Sequence, residues 1–300
     1  MSSQVTHVTA TIIGGQQYGT GYAMHLEDYQ GIEDTSSVAK SYWQQSFKEY
    51  EWEPPAEIDP REWFDIEDQK NSNSCVGNSL ADCGEYVNLL AEGKEVQLSR
   101  YFAYLASQDY GNMLGSDSGA YMQASTKAAA AGLPLESRFP FSTNYRSQLS
   151  KYRSEKSAIL SEGVYKFPTA ITIRGAEEAY RFLSGWTGAI HIGIGWSLLN
   201  TWEHKTYRPG GSGHAVLICG YLKVSSWPMG IGFLLKNSWN TTWGRNGWSL
   251  IHPNAIDQMF SSRGNVAIGR SDMTAPTPRV ERVERARSAT TRKRRRIETK

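Results

Sequence analysis

The chain has 300 residues, 39% of them apolar, 12% aromatic and 21% charged, with a net charge of +2. That length suits one large domain or two small ones and buries enough surface to hold a core without crosslinks. The aromatic content excludes a disordered chain, no apolar run is long enough for a transmembrane helix, and three cysteines (Cys75, Cys83, Cys219) exclude a disulfide framework. Met1 to Gly15 has neither a basic start nor an apolar stretch. The expectation is therefore no secretory signal, no membrane contact, free thiols and an intracellular setting, or carriage in a particle assembled there.

Residues 1–51 are polar, with Gly-rich turns at Gly14-Gly15 and Gly19 to Gly21, and are read as an N-terminal extension. Pro54-Pro55 marks its boundary, because tandem prolines end whatever precedes them. Val76, Leu80, Cys83, Val87 and Leu90 share one helical face, which predicts a helix from Cys75, capped by Asn73 or Ser74 and closed by Gly93. Ala120 to Ala131, followed by Gly132-Leu133-Pro134, is a second predicted helix. Beyond about residue 165 the pattern turns to strands: Ala189 to Ile194, Ala215 to Cys219, Phe233 to Lys236, Trp248 to Ile251, and a last segment near Val266 to Gly269. Helices followed by strands predict an α+β protein with two lobes and a cleft between them. From Thr274 to Lys300 ten Arg/Lys stand against three Glu, a charge of +7 that leaves −5 for residues 1–273. This stretch, without aromatics and opened by prolines, is read as a disordered basic tail.

Chemistry concentrates at Cys75. At the first turn of a helix, unpaired N–H groups and the helix dipole favour a thiolate, the nucleophilic form of cysteine. Cys83 on an apolar helix face and Cys219 in an apolar strand are read as small buried hydrophobes. Gln69 stands six residues before Cys75, and His214 sits in Gly213-His214-Ala215 at the mouth of a strand. Lys236-Asn237-Ser238-Trp239 is followed by Trp243-Gly244 and Gly247. The remaining histidines show no metal-ligand spacing, and the glycines at 14–21 are not a phosphate loop.

With these motifs, and with Pro55, Ile58-Asp59 and Arg61, the chain over about residues 52–270 resembles the papain-like cysteine peptidases, family C1. The resemblance implies a papain-like fold: a helical lobe over about 52–165, an antiparallel β-barrel-like lobe over about 166–273, and an active site in the cleft. It implies hydrolysis of peptide bonds, with a peptide or protein as substrate and neither metal nor organic cofactor. Cys75 would be the nucleophile, His214 its proton partner in an ion pair, and Asn237 the residue that holds the imidazole. Trp239 would cover that bond, and Gln69 with the Cys75 N–H would form the oxyanion hole. Gly119 would pair with substrate backbone, and Ala215 would wall the specificity pocket.

The chain departs from the family around the nucleophile, with Ser72-Asn73-Ser74 before it and Val76-Gly77-Asn78 after it. The Cys usual there is missing, which suggests a disulfide-poor branch found in bacteria and their viruses. Lys223 to Gly232 is read as a lengthened hairpin. The extension is a short pro-segment or structural packing. The cluster Arg292 to Arg296 has three readings: an import signal, an arm for an acidic partner such as nucleic acid or a particle surface, or solubilising charge. Two rival functions remain: a virion-associated or docking protein of the same fold, and an enzyme acting on other amides with the same residues.

Overall fold

The computed structural model describes residues 11–13, 16–18, 54–185, 188–196, 198–262 and 264–271. The basic tail from Thr274, and residues 19–51 of the extension, lie outside them. Two short strands, β1 (Thr11–Ile13) and β2 (Gln16–Tyr18), pair antiparallel on either side of positions 14–15.

The predicted helix at Cys75 is α1 (Cys75–Glu92), ended by Gly93 in the left-handed region at φ 64°, its N–H donated to the Leu89 carbonyl. Ser74 occupies the N-cap position but makes no capping bond through its side chain. Instead the Asn78 carboxamide reaches back one turn, donating to the Ser74 carbonyl at 2.9 Å and to Ser74 Oγ at 3.0 Å. Three further helices complete this lobe: α2 (Arg100–Tyr110), α3 (Met122–Ala131) and α4 (Tyr145–Ser161). Ser99 caps α2 by accepting from the Phe102 N–H, and Asn144 caps α4 by accepting from the Ser147 N–H.

The other lobe is a seven-stranded sheet. Its strands are β3 (Ile171–Thr172), β4 (Ala189–Trp196), β5 (Glu203–His204), β6 (Pro209–Lys223), β7 (Ile231–Lys236), β8 (Trp248–Ile251) and β9 (Val266–Arg270), in the order β3-β9-β4-β6-β7-β8-β5. Every pair is antiparallel except β5 with β8, which is parallel. Residues 224–230 form the hairpin between β6 and β7, with Met229 at φ 60° and Val224 donating its N–H to the Gly230 carbonyl. Two helices that the strand-like texture did not suggest, α5 (Ala176–Ser184) and α6 (Pro253–Ser261), pack against this sheet.

Strand alternation sorts the cores. Ile190, Ile192, Ile194, Val216 and Ile218 face one side with Phe182, Ile256 and Met259 of α5 and α6. Ala189, Leu217 and Cys219 face the other, against Cys83, Tyr86, Leu89 and Leu90 of α1. The opposite flank of α1 packs on α2 and α3, where Val76 and Leu80 meet Tyr101 to Leu105. So α1 is sandwiched between helices and sheet, and both faces of the helix are buried. The segment after Pro55 crosses to the sheet, where Ile58 and Tyr221 exchange main-chain hydrogen bonds of 2.8 and 2.9 Å.

Candidate active site

Four segments bring the singled-out residues together. Asp68 accepts from the Lys70 N–H at 2.8 Å, and this turn lets Lys70 take φ 52° and swing Gln69 inward. Residues 67–69 then run antiparallel to 238–240, with Gln69 N–H donating to the Ser238 carbonyl and Asn240 N–H to the Glu67 carbonyl. Ala215, next to His214 on β6, belongs to the same packed cluster as Cys75 at the start of α1. Gln69, Cys75, His214, Ala215, Asn237 and Trp239 are all buried.

His214 Nε2 lies 2.8 Å from Asn237 Oδ1. That Asn237 atom also accepts from the Ser238 N–H at 2.8 Å, so it is the carboxamide oxygen and not the nitrogen. An oxygen can only accept, so Nε2 carries the ring proton and Nδ1 holds the basic lone pair. Nδ1 is buried with no hydrogen-bond partner among the described residues. Trp239 stacks on the imidazole, its ring centroid 4.4 Å away at 23°. Burial pushes His214 down to about 4, and the Asn237 hydrogen bond opposes it. An imidazolium here therefore needs a nearby negative charge.

Gln69 is fixed just as firmly. Ser238 Oγ donates to its Oε1 at 2.5 Å, and its Nε2 donates to the Ser72 carbonyl at 2.9 Å. Cys75 is the first residue of α1, where main-chain N–H groups have no intrahelical carbonyl. The glycines of the Trp-Gly-x-x-Gly stretch have steric reasons. A Cβ on Gly244 (φ +58°) would stand 2.2 Å from the Trp248 carbonyl oxygen, and one on Gly247 (φ +83°) 2.4 Å from Ile66. The Gly247 carbonyl accepts the Asn237 N–H, so this turn sets the Asn237 position.

Gly119 is held through both main-chain groups by side chains of α2. Its N–H donates inward to Tyr104 Oη at 3.1 Å, and its carbonyl accepts from Gln108 Nε2 at 2.8 Å. The sequence reading missed Ser238, Asn78, Tyr104, Gln108 and Asp117, all of which hold the site's loops. Ser238 and Asn78 stood beside the residues singled out, but nothing in their spacing shows a bond to Gln69 or to Ser74; Asp117 carries no local signal, because its partner Asn73 is 44 residues away.

All three cysteines are free and buried. Burial raises the Cys83 thiol to about 12 and Cys219 well above its ordinary value, as small core residues require. No group of three His, Cys, Asp or Glu among the described residues could hold a metal ion, and no described helix is long and apolar enough to cross a membrane.

The model of the papain family cysteine proteases matches residues 54–261. The chain belongs to this family. Among curated proteins, the chain is 24% identical over 206 residues to the senescence-specific cysteine protease SAG39 of rice (Oryza sativa), covering 64% of this chain and 55% of that one. It thus spans about half the length of the curated relatives it matches. Its fold is that of xylellain, a cysteine protease from Xylella fastidiosa, at 18% identity and a TM-score of 0.60 over 90% of this chain and 96% of that one. It also matches the proform of the ragweed pollen allergen Amb a 11, a cysteine protease, at 20% identity and a TM-score of 0.57, covering 75% and 67%.

Proposed function

We propose that the chain is a cysteine peptidase in which Cys75 attacks the peptide carbonyl, His214 handles the proton, and Asn237 fixes the imidazole. The observation that carries this reading is the Asn237–His214 hydrogen bond, whose polarity leaves the Nδ1 lone pair unpaired among the described residues. The thiol proton passes to Nδ1, and the thiolate adds to the carbonyl. The imidazolium returns the proton to the leaving amine, and water then hydrolyses the thioester. The oxyanion is held by Gln69 Nε2 and the Cys75 N–H, with Gln69 pinned by Ser238 and Ser72. Trp239, stacked on the imidazole face, covers the Asn237–His214 bond from water, and Ala215 walls the pocket beside it.

Labelling with an epoxide-type thiol-protease inhibitor, followed by peptide mapping, tests the assignment. Modification of Cys75 alone, lost in His214→Ala, is the expected result; modification of Cys83 or Cys219 instead would overturn it. The free thiols and the absence of a Cys just before the nucleophile support placement in a disulfide-poor branch. From its charge, the tail at Arg292 to Arg296 suits an acidic partner. Truncation after Met273 should then weaken salt-sensitive binding to DNA or RNA and leave hydrolysis of a small peptide unchanged.

A further inference from the structure

A network of side-chain hydrogen bonds joins the loop before Cys75 to residues 115–119. The Asn73 N–H donates to both carboxylate oxygens of Asp117, at 3.1 and 3.2 Å. The Asn73 carboxamide donates to the Asp117 main-chain carbonyl at 2.6 Å, so one residue grips the other by two separate groups. The Tyr104 phenol donates to Asp117 Oδ1 at 2.7 Å.

Behind this clasp stands a rigid support. Tyr104 and Gln108 are fully buried on α2. Gln108 Nε2 is shared among Tyr104 Oη (2.9 Å), the Ser116 carbonyl (3.0 Å) and the Gly119 carbonyl (2.8 Å). Tyr145 of α4 donates to Gln108 Oε1 at 2.7 Å and accepts the Gly115 N–H at 3.0 Å. The segment bearing Asp117 is thus anchored at both ends to helices, and it is the firm side of the clasp. Asn73 is on the side being held. It lies between Ser72, whose carbonyl takes the Gln69 carboxamide, and Ser74, whose hydroxyl is 2.5 Å from that of Ser72 and whose carbonyl starts α1.

We propose that Asp117 is a positioning residue for the oxyanion hole: by gripping Asn73 it fixes the 72–74 loop, and through the Ser72 carbonyl it fixes the Gln69 carboxamide. This rests on the peptidase reading of the site. Asp117 does not touch the reacting atoms. Its effect falls on the step in which charge develops on the carbonyl oxygen, and hence on kcat and not on substrate affinity.

The test compares Asp117→Ala with Asp117→Asn on a short peptide amide, alongside the rate at which iodoacetamide alkylates Cys75. Alkylation needs the thiolate but not the oxyanion hole. Asp117→Ala should lower kcat about tenfold with KM changed less than about twofold, the scale of one misplaced transition-state donor. Its Cys75 alkylation rate should stay at the wild-type level. Asp117→Asn keeps an acceptor for the Asn73 N–H and should recover most of the lost kcat. Unchanged kcat in Asp117→Ala, with an active wild type, would overturn the clasp alone. A fall in alkylation and kcat together in both variants would overturn it too, since that is loss of structure and not of alignment. Failure of the peptidase reading has a separate signature: a wild type that hydrolyses nothing, or a Cys75→Ala variant as active as wild type.

Discussion

Ser238 donates its hydroxyl to Gln69 Oε1 at 2.5 Å, across the junction between the two lobes. The residue before it holds His214, and the residue after it stacks on the same imidazole. One tripeptide after β7 therefore orients His214 and Gln69 together. Removing the donor in Gln69→Ala should lower kcat by about 10² to 10³ with a smaller change in KM. Ser238→Ala leaves Gln69 its Ser72 contact and frees only its oxygen, so its loss should be smaller. Steady-state kinetics on one peptide substrate checks both. Equal losses in the two variants would mean that Ser238 acts on something other than Gln69.

The alkylation pattern of the three thiols separates a nucleophile from core cysteines. Burial holds the Cys83 thiol at about 12 and Cys219 well above its ordinary value, so neither supplies thiolate at pH 6. Cys75 has a helix N-terminus in its favour and, on the proposed reading, His214 as its proton partner. Iodoacetamide at pH 6 should therefore mark Cys75 first, read by mass spectrometry of the digested protein. Comparable labelling of all three in folded protein would remove the special status of Cys75.

Much of the site was legible because its determinants are local. Gln69, Cys75 and Asn237 are placed by a turn, a helix start and a strand end, and each leaves a short motif. The five strand segments appear where short apolar stretches put them, and in β4 the alternation of Ile190, Ile192 and Ile194 reports one face directly. The missed helices fail for identifiable reasons. In α2, residues 101–108 are all buried, so no polar face reveals the helical period. In α4 the buried set is only Gln148, Leu149, Tyr152 and Ile159, too sparse to stand out in a polar stretch. The Asp117 clasp was invisible for another reason: it joins groups 44 residues apart.

Acid should weaken the fold partly through His191. This imidazole on β4 is fully buried, both ring nitrogens lack hydrogen-bond partners among the described residues, and burial with the nearby Arg270 charge holds it well below its ordinary value. The unfolded chain therefore takes up the proton first, and stability present above pH 6.5 is lost as pH falls below it. One such proton contributes up to about 1.4 kcal/mol per pH unit. Glu67, Asp82 and Glu85, raised mainly by burial, act in the opposite sense. They are common to wild type and His191→Leu, so the difference between the two isolates the histidine. Urea unfolding from pH 7 to pH 4.5 should show a shallower acid loss in the variant. Parallel curves would mean that His191 is protonated in the folded protein.

The strongest charge test lies under the site. Lys236 Nζ is 2.7 Å from Asp82 Oδ2, and both side chains are buried between β7 and α1. Burial pushes Lys236 down, but Asp82, Glu67 and Glu85 around it hold it above the usual ammonium value. Lys236→Met strands the buried Asp82 without its ion-pair partner, which should cost about 3–5 kcal/mol at pH 7. Because the next residue is Asn237, the variant should also lose activity. Lys236→Met combined with Asp82→Leu removes the pair as a unit and should recover most of the stability, since an apolar replacement needs no counter-charge. In the single variant the stranded Asp82 can protonate, so its deficit should shrink between pH 7 and pH 5. A deficit that stays constant over that range would show that packing of the lysine stem, and not its charge, carries the effect.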